Sequence, residues 1–527
     1  MKRFILFSYV MVSFLICLSV PAHAAQWAKT YGGTGNESGG IWPASGGGYY
    51  LLGYLNSATT DTIFAKLTSG GSVSWAKKIG GPAQDLLSVI DISGGFLVTG
   101  MTNSFGTASG LNLVWAKFDS SLNPVYQKVF GGEGNEMGGF YETTDGGLFF
   151  SGGSNSYGTS ASDKDILLVK IKPTGAIAWK KVFHYGSQDQ GGYMLEVSDG
   201  YLVSGETQNP PTSPLPGILL MKLSKTTGVP QWIKLYKHPT GMLSGTEITK
   251  LSGGGFLLTG SLMSLSGDNR ILLMKTNSNG VVQWQKSYGK ASCSVMGYVV
   301  TENPDHTLIL SGTITDPAGT SGTLVMKLSS TGGILWKKRL GAKTEINSGY
   351  ISKSETGQVL LSGSHTTGPS DDHYKILYSR LDPTTYSPIW AKVFGGDNYD
   401  SGAVTKLTGG YLMEGTTTSF GPGTPSKYNI FGMILDADGN YPNCHITPIT
   451  LPVDTNPGVS SNNPGLTTVN IPSFDTRVAG GPTNISLTVT PMTLQSKAIC
   501  PSVAGAADFP ADEELETLDE EIGTDGE

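Results

Sequence analysis

A repeated unit runs through most of this chain and restricts its fold more than any other feature. An aromatic residue followed two positions later by lysine recurs eight times, at intervals of 48 to 54 residues. The aromatic residues are Trp27, Trp75, Tyr126, Trp179, Trp232, Trp284, Trp336 and Trp390. An apolar run that ends in glycine recurs in register with them, also eight times. The chain is therefore expected to contain eight copies of one structural unit.

Each unit contains four short strand-like runs, named a to d in chain order, separated by Gly, Ser, Thr, Asn or Asp. In the first complete unit these are residues 39–44, 49–53, 63–67 and 74–79. Runs b and c are almost continuously apolar, which is typical of strands covered on both faces. This pattern predicts an all-β fold in which four-stranded sheets are stacked face to face around an axis. Eight such sheets form an eight-bladed β-propeller over residues 25–443.

The order of the runs predicts how the ring closes. Residues 26–31 form a d-type run that has no a, b or c run before it. The eighth unit has a, b and c runs, the last at residues 430–435, but no d run. We therefore expect the N-terminal strand to pair with residues 430–435 and complete the last blade, which removes two exposed sheet edges.

Residues 1–24 have the pattern of a secretory signal peptide. Lys2 and Arg3 precede an apolar run, and Ala22-His23-Ala24 forms the small-residue cleavage site. We expect a mature chain that begins at Ala25 and is secreted, to the periplasm, the outer surface or the extracellular medium. No later apolar run is long enough to span a bilayer.

Cys444 and Cys500 bracket a segment rich in Thr, Pro, Ser and Asn, in which alternating stretches predict exposed strands. We predict a disulfide between them, consistent with an oxidising compartment. Residues 444–500 are then expected to form a small β appendage that this bond holds against the propeller. Cys293 is left over and is interpreted as a small buried residue.

The net charge of −7 is concentrated at the C-terminus. Ten of the last twenty residues are acidic, so the remainder of the mature chain is close to neutral. A neutral body indicates no basic face for nucleic acid. Residues 501–527 are predicted to be a disordered acidic tail, and we expect the protein to be a monomer.

Acidic side chains recur in the segments between runs d and a. They are Glu37, Asp85, Glu136, Asp189, Glu345 and Asp400, whereas units five and six have Leu243 and Cys293 near the corresponding point. Because strand direction alternates, these segments share one face with the long, variable b–c loops, and the acids are expected to crown the central channel. In the structural interpretation, these acids accept hydrogen bonds from glycine-rich backbone and connect neighbouring blades. In the functional interpretation, they form a cation or sugar site. We favour the structural interpretation because repetition is typical of architecture.

The two residue types that mark strand d also have an expected role. The aromatic residue should fill the gap between adjacent blades. The lysine that follows, such as Lys181 after Trp179, is interpreted as a guard against aggregation on an outermost strand.

Few motifs indicate chemistry. Asp436-Ala437-Asp438-Gly439-Asn440 is similar to the start of a calcium loop but lacks its distal glutamate. We therefore interpret it as a turn, with a calcium site as the alternative. The seven histidines have no metal-binding spacing, and no nucleophile elbow is present. We predict no cofactor and no catalytic residue.

The turn between runs c and d resembles a known repeat. Lys327-Leu328 with Thr331-Gly332 and Trp336 resembles the tryptophan-docking repeat of quinoprotein-dehydrogenase-like propellers, which also have eight blades. The whole unit looks like the secreted bacterial propeller-repeat proteins, and Ser104-Phe105-Gly106 and Ser419-Phe420-Gly421 match their b–c segment. The resemblance covers about residues 25–443 and implies a fold rather than an activity.

We therefore expect a secreted, non-catalytic binding or scaffold propeller at the bacterial cell envelope or outside the cell. It would recognise a protein or glycan partner through the face that carries the b–c and d–a loops. A quinoprotein-like dehydrogenase is one alternative, although the adjacent cysteine pair of that family is absent from this chain. A carbohydrate-binding or glycan-cleaving propeller is another.

Overall fold

The structure is a computed structural model, and it describes residues 4–5, 26–32, 35–56, 60–106, 110–157, 163–208, 210, 214–265, 267–341, 346–354, 357–366, 373–421, 427–462, 464, 467–470, 483–484, 488–492 and 495–500. It is built from β-strands, and no helix in these ranges is long and apolar enough to cross a membrane. The predicted acidic tail, Glu345 and all but residues 4–5 of the predicted signal peptide lie outside the described residues.

Most strands belong to antiparallel groups of four, here called meanders 1 to 8, with strands a to d in each. Strands β1 (Phe4–Ile5) and β2 (Ala28–Gly32) precede the first group. Meander 1 contains β3–β6 (Asn36–Pro43, Tyr49–Asn56, Thr60–Leu67, Val73–Gly80), and meander 2 contains β7–β10 (Asp85–Ile92, Gly95–Thr102, Asn112–Asp119, Pro124–Phe130). Meander 3 contains β11–β14 (Glu136–Glu142, Leu148–Ser154, Asp165–Ile171, Ile177–Phe183), and meander 4 contains β15–β18 (Gln188–Val197, Gly200–Gln208, Gly217–Leu223, Pro230–Lys237).

The second half of the chain repeats this order. Meander 5 contains β19–β22 (Gly241–Lys250, Phe256–Ser264, Asn269–Thr276, Val282–Gly289), and meander 6 contains β23–β26 (Ser294–Glu302, Leu308–Thr315, Ser321–Leu328, Ile334–Leu340). Meander 7 contains β27–β30 (Ile346–Lys353, Val359–His365, Lys375–Leu381, Pro388–Phe394). Meander 8 contains β31–β33 (Asp400–Leu407, Gly410–Thr417, Asn429–Leu435) and takes its strand d from the other end of the chain.

That strand is β2, which pairs antiparallel with β33. Lys29 lies opposite Gly432 and Thr30 lies opposite Phe431. This is the pairing expected from the order of the runs. The pairing joins β2, the first described strand after residue 25, to β33, the last strand of the repeated units. Both ends of the repeat array therefore lie in one sheet. The two-residue strand β1 pairs with β11, with Ile5 opposite Phe140.

By hydrogen bonding these strands form seven sheets rather than eight separate ones. Meanders 5 and 6 are joined by one parallel bridge, between Asn269 and Ser294, while each keeps its own antiparallel order. An equivalent contact between meanders 3 and 4 is present as an isolated bridge between Lys164 and Gln188. The joined sheet therefore results from one local contact between neighbouring meanders.

Buried hydrophobic clusters lie between consecutive meanders. In one, Phe149 of meander 3 packs with Tyr201 and Val203 of meander 4. Each meander shares such a cluster with the next along the chain. A further cluster combines Ile41 of meander 1 with Ile430 of meander 8. Strands b and c contribute most of the buried side chains, as expected for strands that are covered on both faces.

The C-terminal segment differs most from its expected form. Its strands are β34–β40 (Ile446–Ile449, Val453–Asp454, Ser460–Asn462, Thr467–Asn470, Thr483–Asn484, Thr488–Pro491, Gln495–Ala498), here called the belt. They add a fifth strand outside strand d of meanders 7, 6, 5, 4, 2, 1 and 8, in that order. The belt is therefore not a separate appendage. Its short strands pair with the hydrogen-bonding edges of the meanders, which would otherwise be open.

The Cys444–Cys500 disulfide is present and joins the two ends of the belt. Both cysteines pack in the cluster between meanders 7 and 8. The disulfide therefore closes the belt into a covalent loop. The strands of this loop are the ones that pair with strand d of the meanders. In the described part of the chain, strand d of meander 3 has no fifth strand beside it.

This arrangement corrects the interpretation of the strand d lysines. Strand d is not outermost where the belt covers it, so an edge guard is not needed there. Lys29 instead donates to Ser72 Oγ at 3.1 Å in the next meander. Lys338 donates to the Thr385 carbonyl and Lys392 to the Asp438 carbonyl, again in the next meander. In these three cases the ammonium group links neighbouring meanders.

Candidate functional site

The b–c loops and the d–a loops meet on one side of the meanders, here called the loop face. The N–H of Glu136 at the start of meander 3 donates to the Leu111 carbonyl at the end of the preceding b–c loop, at 2.8 Å. The N–H of Asp400 donates in the same way to the Tyr374 carbonyl at 2.7 Å. Glu37 of meander 1 donates to Tyr428 of meander 8 at 3.0 Å. Each loop cluster on this face is thus shared by two meanders.

The acids at the start of strand a are buried on this side of the meanders. Glu37, Asp85, Glu136, Asp189 and Asp400 are at most 1% exposed. Their carboxyl groups are therefore not open to solvent, and their position relative to a central channel stays a prediction. Glu345 lies outside the described residues.

The partners of Asp85, Glu136 and Asp400 are glycine backbone N–H groups and hydroxyls. Asp85 accepts from the Gly81 N–H at 2.6 Å and from Ser104 Oγ at 2.7 Å. Asp400 has the same environment, accepting from the Gly396 N–H and Ser419 Oγ, both at 2.8 Å. A carboxylate in this position fixes the d–a turn and the serine of the Ser-Phe-Gly segment together.

Burial affects the protonation of three of these carboxyls. It raises the pKa of Glu136, Asp189 and Asp400 above the usual values for these residues, whereas hydrogen bonds from hydroxyl and backbone N–H groups act in the opposite direction. Desolvation is the larger cause in each case. A cation bound beside these carboxyl groups would stabilise their charged form. Backbone N–H and hydroxyl groups, however, already donate hydrogen bonds to the carboxylate oxygens.

Meanders 5 and 6 replace both members of this polar pair. The strand a acid lies opposite a strand b hydroxyl in meander 2, where Asp85 pairs with Thr102. In meander 5 the same two positions are Leu243 and Leu262, and in meander 6 they are Val295 and Ile314. Cys293, expected near this point of meander 6, lies two residues before Val295. In meander 1 the acid Glu37 lies opposite Leu55, so the acid does not require a hydroxyl partner on strand b.

The strand d aromatic residues dock on the c–d turn of the following meander. Trp27, Tyr126, Trp179, Trp232, Trp284 and Trp390 lie against Gly71, Gly175, Gly228, Gly280, Gly332 and Gly439 respectively. Trp336 packs on Tyr386 with ring centroids 5.6 Å apart, and Trp75 shares a cluster with Leu122. Leu122 and Tyr386 have φ of 62° and 56°, so these two turns keep the left-handed conformation without glycine.

A cleft of about 420 Å³ lies on the loop face between meanders 7 and 8. Its lining combines charged and amide groups with one aromatic ring: Lys375, Gly395, Gly396, Asp397, Asn398, Ser419, Phe420, His445 and Thr447. Phe420 packs against His445 with ring centroids 4.9 Å apart. This site is not evident in the sequence because its walls come from two loops, a turn and the start of the belt. The Ser-Phe-Gly segment was the one available signal.

Two glutamates, the buried Glu414 and the partly buried Glu247, have strongly raised pKa values. Burial raises the pKa of Glu247 to about 7 and that of Glu414 to about 8. The charge of Glu247 also raises the pKa of Tyr193 and Tyr350, after the larger effect of burial, so strands a of meanders 4, 5 and 7 lie close enough to influence one another. Neither glutamate was identified from the sequence.

The remaining candidates have simple environments. Asp436 Oδ1 accepts from the N–H groups of Asp438 and Asn440 at 2.9 and 2.8 Å, so this segment forms the turn expected of it. Cys293 is a free thiol and is buried.

One group of side chains within the described ranges offers ligand atoms close enough to share a metal ion. It consists of Asp163, Asp165 and His184, whose ligand atoms lie within 4.8 Å of one another. Strands c and d of meander 3 bring them together, because Ile166 is paired with Phe183. Sequence spacing missed this group, since its histidine and aspartates lie on different strands.

Comparisons with known proteins add no assignment: no protein-family model matches this sequence, and no curated protein is significantly similar to it.

Proposed function

We propose that this chain is an exported, eight-bladed β-propeller that binds a protein or glycan partner on its loop face. Three observations support the ring. Each meander shares a hydrophobic cluster with the next, a further cluster combines meanders 8 and 1, and β2 completes meander 8. The seven-sheet hydrogen-bonding count is compatible with eight blades, because a single bridge joins meanders 5 and 6.

Export to an oxidising compartment is the second part of the proposal. The Cys444–Cys500 disulfide supports it, since such bonds persist outside the cytosol. The pattern of residues 1–24 and the resemblance to secreted bacterial propeller-repeat proteins favour the cell envelope or the medium.

The observation that carries the binding role is the cleft between meanders 7 and 8. Lys375 and Asp397 supply opposite charges, Asn398 supplies an amide, and the Phe420 and His445 rings supply flat surfaces. Concave sites that combine a few polar groups with aromatic rings are typical of ligand recognition. The rigid meanders on both sides would hold these groups in fixed positions.

We propose binding rather than catalysis because the glutamates with raised pKa values are not in this cleft. Glu414 lies on a central strand and is 3% exposed, and Glu247 lies on strand a of meander 5. A catalytic acid or base has to reach the reacting atoms.

The test compares two double variants in a glycan array and in a pull-down from the native envelope or medium. Asp397→Ala with His445→Ala alters the cleft. Asp305→Ala with His306→Ala is the matched control, because these exposed residues lie in an a–b turn away from the loop face. The proposal predicts a partner that the wild-type and control chains retain and that the cleft variant loses. No partner, or equal retention by all three chains, would contradict it.

A further inference from the structure

Meander 3 departs from the other meanders at the position that follows the last apolar residue of strand d. This position is occupied by glycine in six meanders, namely Gly32, Gly80, Gly131, Gly289, Gly341 and Gly395. Meander 4 has Lys237 and meander 3 has His184. His184 therefore occupies a position that is a glycine, without a side chain, in six of the other meanders.

The preference for glycine has a physical reason. The residue at the start of strand c directs its side chain toward this position from the neighbouring strand. A β-carbon at Gly80 would lie 2.9 Å from Asp61 Oδ1, and one at Gly131 would overlap Asn112 Oδ1. In meander 3 the equivalent strand c residue is Asp165. His184 is therefore held directly against this carboxylate.

The local geometry brings a second carboxylate to the same ring nitrogen. His184 Nδ1 lies 2.7 Å from Asp165 Oδ1 and 3.8 Å from Asp163 Oδ2. Donor atoms about 2.0–2.2 Å from one tetrahedral ion are separated by roughly 3.3–3.6 Å, which lies between these two distances. Small side-chain movements would therefore suffice to place all three atoms around one ion.

The surroundings are suited to a cation. Asp165 is 1% exposed, while His184 is 38% exposed and gives access from solvent. Asp189 adds negative charge nearby, but its own oxygens accept from the N–H groups of Tyr185 and Gly186. The ammonium group of Lys164 lies 3.5 Å from Gln190 Oε1.

We propose that Asp163, Asp165 and His184 form a site for a divalent transition-metal ion of the Zn²⁺ class on the loop face. An imidazole with two carboxylates suits Zn²⁺, whereas Ca²⁺ requires six to eight oxygen ligands. The ion takes the place of the proton between Nδ1 and Asp165. From the imidazolium form this proton is released to solvent, and in the neutral imidazole it is carried on Nε2 instead. Three protein donors leave a fourth position for water. The site would fix the end of the b–c loop to strand d.

The competing explanation is an ion pair without metal. Meander 1 contains such a pair, in which Lys78 Nζ lies 2.7 Å from Asp61 Oδ2. The test therefore has to measure metal binding itself.

The experiment uses the mature chain with its disulfide intact, freed of metal by a chelator and titrated calorimetrically with ZnCl₂. His184→Gly and Asp165→Asn are the test variants, and each introduces a residue that the chain itself uses at the equivalent position, as in Gly131 and Asn112. Both are expected to fold. His238→Ala is the control, because this histidine follows strand d of meander 4 outside the cluster.

We expect one Zn²⁺ per wild-type chain and an apparent Kd that rises at least tenfold in each test variant, since even outer-shell changes cost about 10–100-fold. The His238→Ala variant should bind as the wild type does. Zn²⁺ should raise the Tm of the wild-type chain and not that of His184→Gly. A wild-type chain that binds no Zn²⁺, or that binds Ca²⁺ as tightly, would overturn the proposal. Test variants that bind Zn²⁺ with the affinity of the wild type would also do so.

Discussion

The indole of Trp179 lies directly against Gly228, so closely that a β-carbon added at residue 228 would come within 2.5 Å of the ring. Gly228 has φ of +69° and belongs to the c–d turn of the next meander. The indole Nε1 also donates to the Lys225 carbonyl of that turn at 2.9 Å. The aromatic residue and the turn therefore fix the position of one meander on the next. Related contacts recur between the other meanders.

Gly228→Ala should destabilise the protein by two effects. The left-handed conformation costs a non-glycine residue about 1–2 kcal/mol, and contact with the indole adds about 1–3 kcal/mol for overpacking. Gly409→Ala is the matched control, because Gly409 has φ of +84° and no atom within 4 Å of the added β-carbon. Urea denaturation should give a clearly larger loss for Gly228→Ala. Equal losses would show that the indole contact is not tight.

Trp179→Ala should lower the free energy of unfolding by about 3–5 kcal/mol, since it empties a well-packed cluster. The side chain is 8% exposed and packs with Phe149 and Tyr201. Leu335→Ala provides a comparison on the strand d of meander 6, where Leu335 is 56% exposed, and should change stability by no more than about 0.5 kcal/mol. Similar values for the two variants in chemical denaturation would contradict the docking role of the aromatic residue.

Loss of the disulfide should loosen the belt. The bond closes a loop between residues 56 positions apart, and its constraint on the unfolded chain is worth about 4 kcal/mol. Cys444→Ser should lower the free energy of unfolding by about that amount and speed protease cleavage within the belt. Reductant should have the same effect on the wild-type chain and no further effect on the variant. A variant as stable as the oxidised wild type would contradict this account.

Glu414 should make stability fall as pH rises through the neutral range. Burial raises its pKa from 4.5 to about 8 in the folded state, opposed by one hydrogen bond from the Ile41 N–H. The folded chain therefore keeps a proton that the unfolded chain releases, so the free energy of unfolding falls between those two pH values. Glu414→Gln stays neutral, and its unfolding free energy should fall less than that of the wild type across this window. Parallel pH profiles would show that Glu414 does not titrate in this way.

Much of the repeated structure was predictable because it depends on local patterns. The apolar residues of runs b and c and the aromatic residue of strand d indicate burial. The turn glycines indicate the backbone conformation at their positions. The pairing of β2 with β33 was predictable because residues 26–31 lack the other strands of a unit. The Cys444–Cys500 disulfide followed from the two cysteines that bracket a distinct segment.

The belt and the loop-face sites were not predictable for a common reason. Belt strands such as Val453–Asp454 are short and polar, and their partners are the edges of distant meanders. The burial of Asp85 depends on loops that fold over it, and the approach of His184 to Asp165 depends on the register of two strands. These features come from tertiary contacts that no single stretch of sequence contains.

Electron microscopy of the mature protein, viewed along the axis of the proposed ring, tests the central claim most directly. We predict eight wedge-shaped sheets around a channel, with β2 in the same sheet as β31–β33 and the belt outside them. Seven wedges, an open stack, or β2 separated from β33 would contradict the account.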